Sequence, residues 1–382
     1  MSGFKIITCL AFSRLILSNT LFCQAAPFLA SIVIFFGILI TLLIGLIGGG
    51  IFNYLLLPLP WVLGPAFLVA IFALFKVNVL IPPKFRNPFI GILGVWLGGS
   101  FDSSILDNVE TWFLTLLLLA LYIPFAFYLT FLVLHKIRKI EKPESFFIAS
   151  PGGLLEMVLG AEECGANSKQ VGIIHMIRIF LTVFTIPSLI LISFPGSFER
   201  EAIWPVMDID LLNLIILFII VYLGVFLGRI IKLPGPRLFG PLLLSAIISI
   251  FELYKIEMSI TVVIFAQLVS GSFFGSNFNG LSWKIAGKYI GHSISVVITL
   301  IISMLPFILI VKLISDITPA AIFLAFAPGG VNEMGLLAFL LNIEPAFVIT
   351  HHLFRLSVVV IILGFAQKFL YPKFKLMVKQ RK

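Results

Sequence analysis

Charge is what this sequence has least of. Asp, Glu, Lys and Arg make up 11% of its 382 residues, against 60% hydrophobic, and a soluble surface cannot be assembled from so few. Cysteine is nearly as scarce. Cys9, Cys23 and Cys164 are scattered, odd in number and free of any CxxC spacing, which argues against a disulfide framework and a zinc ribbon. Histidine occupies five positions, His135, His175, His292, His351 and His352, and no spacing groups three of them as a copper or non-haem iron centre requires. There is no GxGxxG on a strand–helix turn, no GxxxxGK(S/T) and no HExxH. These gaps argue against an oxygenase and an ATP-driven pump, so no enzyme activity, metal or cofactor is expected.

What is present is long apolar sequence. Stretches such as 28–52 and 211–228 match the roughly 20 apolar residues that cross a hydrocarbon core. The net charge of +9 lies in short loops and in the C-terminal KFKLMVKQRK, where the positive-inside rule accounts for it without nucleic acid. Residues 1–26 carry Lys5 and Arg14 around a short apolar run. Two readings stay open there, a signal peptide ending near Gln24-Ala25-Ala26 and an amphipathic lead-in on the inner membrane surface.

The chain also matches itself at an offset of about 177 residues. Gly64-Pro65 recurs as Gly240-Pro241, and Gly94, Gly98 and Phe101 recur as Gly271, Gly275 and Phe278. The segment from Pro151 to Arg178 recurs without a gap from Pro328 to Arg355, so SPGGLLEM at 150–157 is echoed by APGGVNEM at 327–334. Proline and two glycines stop one helix and start another. In lipid such a break is tolerated only where protein or water satisfies the freed backbone groups.

Alternation of basic and acidic loops orients the spans. From a cytoplasmic start they run at roughly 28–52, 61–75, 88–101, 111–134 and 171–194 in the first half. The second half starts outside at 211–228 and ends with a span at roughly 346–370. With each Pro-Gly-Gly segment read as a re-entrant hairpin, each half has five spans. An odd number turns the second copy upside down. The fold expected is therefore an all-α polytopic membrane protein of two inverted repeats, each of about five transmembrane helices with one re-entrant Pro-Gly-Gly hairpin. Hairpins that crossed fully would give six spans and a parallel repeat, which the charge alternation disfavours. The divisions are a lead-in at 1–27, repeat 1 at 28–195, an extracytoplasmic linker at 196–210, repeat 2 at 211–371 and a basic cytoplasmic tail at 372–382.

The candidate site follows from the hairpins. Pro151, Gly152, Gly153, Pro328, Gly329 and Gly330 form the tips, whose free N–H groups and helix N-termini suit an anion. Glu156 and Glu333 fall in the first turn of the following helix, as caps or as working carboxylates at membrane depth. Asn332 replaces Leu155 in the second copy only. His175 and Arg178 share one helix face, as do His352 and Arg355, and each arginine could pin its hairpin through the glutamate. A proton-coupled role for the Glu and His stays open beside that structural one. His351 points away and is read as structural. Gly94-x-x-x-Gly98 and Gly271-x-x-x-Gly275 are read as close-packing patterns. Gln267, with Asn277 and Asn279, suggests a polar lining, and Trp61, Trp112, Trp204 and Trp283 are read as interface anchors.

The duplicated PGGxxEM, the His and Arg that follow it and the upstream Gly-Pro and GxxxG elements resemble the AbrB membrane protein family. That family has been labelled both an ammonia monooxygenase and a regulator of gene expression. The likeness runs from about residue 30 to 370, and it implies two copies of one membrane domain with no catalytic residues to carry over. The matching positions are Pro151, Gly152, Gly153, Glu156 and Arg178, then Pro328, Gly329, Gly330, Glu333 and Arg355. Asn167 stands where the second copy has Glu344, which argues against a paired acidic role there.

The function expected is a secondary transporter of the bacterial inner membrane, multi-pass, with both termini cytoplasmic. Its partners are a small solute, with H+ or Na+ as the coupling ion, and the lipid bilayer; a homo-oligomer is left open and direct nucleic-acid contact is not expected. The alternative is a membrane-embedded sensor that regulates gene expression indirectly and without transport.

Overall fold

The computed structural model describes residues 20–102, 109–150, 154–193, 202, 204–206, 210–233, 235–254, 258–341 and 343–379. Every regular element among them is a helix, as an apolar chain requires when hydrocarbon offers its backbone no partners. The helices are α1 (Thr20–Tyr54), α2 (Pro60–Leu74), α3 (Pro83–Gly98), α4 (Val109–Leu132), α5 (Lys142–Ala149), α6 (Leu154–Glu163) and α7 (Ser168–Ser193). They are followed by α8 (Leu211–Ile230), α9 (Pro236–Ile250), α10 (Ile260–Ser276), α11 (Trp283–Ile314), α12 (Pro319–Phe326), α13 (Val331–Leu340) and α14 (Pro345–Phe369), with α15 (Tyr371–Lys379) last.

Local chemistry explains many of the starts. Proline occupies the first or second position of α2, α3, α5, α9 and α12, where its missing N–H had no intrahelical partner to lose. The side chains of Asp210, Ser259, Ser282 and Thr318 cap α8, α10, α11 and α12 by accepting a backbone N–H, as short oxygen-bearing side chains do at an N-terminus.

Five stretches, Ile34–Tyr54, Trp112–Ile137, Ser168–Ser193, Leu211–Ile230 and Trp283–Ile314, are long and apolar enough to cross a membrane. Pro60–Leu74, Pro236–Ile250, Ile260–Ser276 and Pro345–Val359 are apolar but shorter. The outer surface is greasy. Phe35, Leu117, Tyr222, Ile302 and Leu309 each expose more than half of their area, and an apolar belt of this extent belongs in lipid rather than water. The chain is an all-helical membrane protein.

Three sequence expectations change. Helix α1 runs back to Thr20, so a boundary at residue 27 falls inside a helix. The basic tail begins with α15, whose Tyr371 and Phe374 are buried against Phe147 and Phe146 at 5.5 and 5.4 Å between ring centroids. The i, i+3 spacing of the two rings puts them on one face. Trp61 is buried, not interfacial, and packs edge-on to Trp204 at 6.2 Å.

The two halves interlock. Helix α3 packs on α9 and α10 packs on α2, while α1 meets α10 and α8 meets α3. The glycine patterns sit at these crossings. Gly94 and Gly98 lie against the backbone of Leu238 and Leu242, and Gly271 and Gly275 lie against that of Val62 and Ala66. A Cβ at any of the four would collide, so the spacing serves close helix approach. Each of these contacts has its counterpart with the halves exchanged.

Candidate functional site between the broken helices

Helices α5 and α12 have 8 residues each, and α6 and α13 have 10. At about 1.5 Å per residue none reaches across a hydrocarbon core of about 30 Å. Their ends meet instead. The Glu144 carboxylate accepts the Asn167 N–H at 3.1 Å, tying the start of α5 to the loop after α6. The Glu344 carboxylate accepts the N–H and hydroxyl of Thr318 at 3.3 and 3.0 Å, tying the loop after α13 to the start of α12. The bond across each pair explains why Asn167 and Glu344 can differ: one offers its backbone and the other its side chain.

The break between the two short helices leaves C-terminal carbonyls without intrahelical donors. Histidine and arginine supply them. His175 Nε2 lies 2.8 Å from the Phe147 carbonyl, and His352 Nε2 lies 2.9 Å from the Leu324 carbonyl. A carbonyl can only accept, so each ring donates from Nε2. Arg178 Nη1 donates to Ser150 at 3.2 Å and Ile148 at 3.4 Å. Arg355 Nη1 donates to Ala327 at 2.6 Å, and Nη2 donates to Gly329. The pairs His175–Phe147 and His352–Leu324, and Arg178–Ser150 and Arg355–Ala327, stand 177 positions apart.

Arg178 and Arg355 line one cavity of about 210 Å³. Its wall also holds Ile123 with Leu300 and Ile179 with Leu356, each pair again 177 apart, and the turn Pro328, Gly329 and Gly330 with Glu333. Glu333 is third in α13, after its N-cap Gly330, and its carboxylate folds back against Gly330. That is the position where an acidic side chain complements an N-terminus.

The expected glutamate–arginine pin is not what the second half uses. Arg355 holds carbonyls, and the charge that acts on Glu333 is Arg86 of α3, whose guanidinium sits 3.9 Å over the Phe273 ring. The carboxylate lies against its own helix start, and the opened turn offers the arginine the Ala327 and Gly329 carbonyls. His175 and His352 are buried, and neither lines the cavity. Gln267 is buried in α10 and does not line it either. His351 bonds the Phe347 carbonyl and the Thr115 hydroxyl at 2.8 and 2.9 Å, a structural role. Pro151, Gly152 and Gly153 and the side chains of Glu156 and Asn332 lie outside the described residues. Among the described residues no three His, Cys, Asp or Glu side chains gather as a metal site.

A second cavity of about 930 Å³ shares the walls Ile179, Val183 and Phe274 with the first. Arg86, Lys169, Asn277 and Asn279 border it, so the two asparagines do mark a lining. Sequence reading missed Arg86, Tyr122 and Thr182. Only Arg86 carried a signal, a charge three residues into a proline-started helix.

The family model described as "Transition state regulatory protein AbrB" matches residues 61–371. The chain is also 28% identical over 289 residues to "Uncharacterized protein YhjN" of Bacillus subtilis (strain 168), a match covering 71% of this chain and 75% of that one. The chain belongs to the AbrB family.

Proposed function

We propose that this AbrB-family membrane protein is a secondary transporter, and that a small solute binds between its two broken-helix hairpins. The observation that carries the reading is that Arg178 and Arg355, at equivalent positions in the two halves, face a single cavity beside the Pro328–Gly330 turn. Discontinuous helices meeting around one shared site are the architecture of coupled carriers. A metal-free, nucleotide-free sequence motif set fits the same class.

In this reading the halves are inverted repeats with re-entrant hairpins, in the inner membrane with both termini cytoplasmic. Several contacts support that topology. The charge bias assigns the α2–α3 turn, the α6–α7 loop and the α10–α11 turn to the cytoplasmic side. Pro83 and Arg86, Ser168 and Lys169, and Asn277 and Asn279, from those three stretches or their immediate flanks, border the same 930 Å³ cavity. From there α11 runs for 32 residues, about 48 Å, to the opposite side where Thr318 meets Glu344. The first hairpin then opens inward and the second outward.

Coupling to H+ or Na+ would act at Glu333, the carboxylate on the cavity wall, rather than at the two buried histidines. Reconstitution of the full chain in liposomes with a panel of labelled small solutes tests the proposal. Accumulation driven by an imposed ion gradient is expected. A protein that binds a solute from the panel but moves none of it under any gradient overturns the transporter reading in favour of a sensor.

A further inference from the structure

The central cavity is asymmetric in chemistry. Two arginines face a polar part with Thr182 and Glu333, and another part, including Ile123, Val183, Phe274 and Leu300, is apolar. Among the described residues the guanidinium groups of Arg178 and Arg355 bond only backbone carbonyls, which orient them and leave their charge in place. A carboxylate, Glu333, shares the wall and lies against Gly330 at the start of its own helix. Two buried polar atoms of the lining residues have no hydrogen-bond partner among the described residues, Thr182 Oγ1 and Arg355 Nε. An unpaired buried donor is costly, and an acceptor-rich group is what such donors lack.

We infer that the site selects a small organic oxyanion, a monocarboxylate with a short apolar body. The carboxylate sits between Arg178 and Arg355 with the Thr182 hydroxyl donating to it, and the hydrocarbon lies against Ile123, Val183, Phe274 and Leu300. This deepens the transporter reading, on whose site it rests. Size sets a limit as well. A cavity of about 210 Å³ is below the range of about 300–1,000 Å³ typical of drug-sized ligands, which favours a short body. An inorganic anion satisfies the arginines but leaves the apolar wall unfilled, and an amine meets two like charges against the single carboxylate of Glu333.

The test is equilibrium binding to the full-length protein in nanodiscs, read by calorimetry and by shift of the unfolding midpoint, independently of transport. Butanoate and hexanoate are expected to bind, with hexylamine, hexanol and sulfate at least tenfold weaker. Arg178→Gln and Arg355→Gln should each lose tenfold or more for hexanoate. Because either arginine change also loosens a turn, Thr182→Val provides the second arm. It removes an unpartnered hydroxyl at constant shape and should weaken hexanoate several-fold without lowering the unfolding midpoint. Amine binding equal to carboxylate binding, or unchanged hexanoate affinity in folded Thr182→Val together with Arg355→Gln, overturns the inference. Hexanoate binding without uptake in liposomes would sink the transporter reading alone; uptake of a cation or neutral solute would sink the anion inference alone.

Discussion

The two broken-helix hairpins share a skeleton and differ in how they are finished. In both, a histidine on the following long helix holds a carbonyl of the first short helix, and an arginine one turn later holds carbonyls at its end. Around that skeleton the residues diverge. Arg355 engages Ala327 and Gly329 through two nitrogens, whereas the bonds of Arg178 to Ser150 and Ile148 are 3.2 and 3.4 Å long. Gly160 of the first hairpin stands where the second has Leu337, and a Cβ there would collide with Tyr371 of α15. What is shared builds the turn; what differs sets how firmly it is held and what docks on it.

The largest effect is expected at the better-held turn. Arg355→Gln leaves buried carbonyls short of donors, at about 1–3 kcal/mol each, so a loss of about 3 kcal/mol is expected. Arg178→Gln should cost about half as much, with both abolishing uptake. Equilibrium unfolding in lipid would measure the pair, and a larger loss at Arg178 would reverse the ranking drawn from the bond lengths.

Reciprocal packing comes next. Gly98→Ala presses on Ser245 and Ala246, and Gly275→Ala presses on Val69 and Ala70. Overpacking of this kind costs about 1–3 kcal/mol. The two losses should agree closely if the crossings are equivalent. A large loss at one with none at the other would break the correspondence between halves.

The sequence carried much of this because backbone breaks and close approaches need particular residues. Pro-Gly-Gly announces a broken helix, a small-xxx-small spacing announces a crossing, and duplication of both announces paired halves. Partners were harder to read. His175 and Arg178 visibly share a face, but the carbonyls they serve lie 28 residues away, and a carbonyl has no letter in the sequence. Arg86 falls between two expected spans, and folding brings it over Phe273; Gln267 is buried in α10 and lines neither of the two cavities described.

Gly160→Leu copies the second hairpin into the first. It should displace Tyr371, undock α15 and cost about 1–3 kcal/mol by overpacking, with the 371–379 segment becoming sensitive to added protease. Retained protection would mean that α15 is held by Phe374 and its contact with Phe146 rather than by Tyr371.

The smallest stability effect is expected at Glu333, and it separates capping from transport. Glutamine also serves at the third position of a helix, so Glu333→Gln should keep the fold within about 0.5 kcal/mol, the usual range of a benign substitution. Its charge is then gone from the cavity wall. Gradient-driven uptake should fall while solute exchange without a gradient persists, the pattern of a carrier that has lost its coupling group. Unchanged gradient-driven uptake with a lowered unfolding midpoint would make Glu333 a cap alone and leave the two arginines as the only charges of the site that act on the solute.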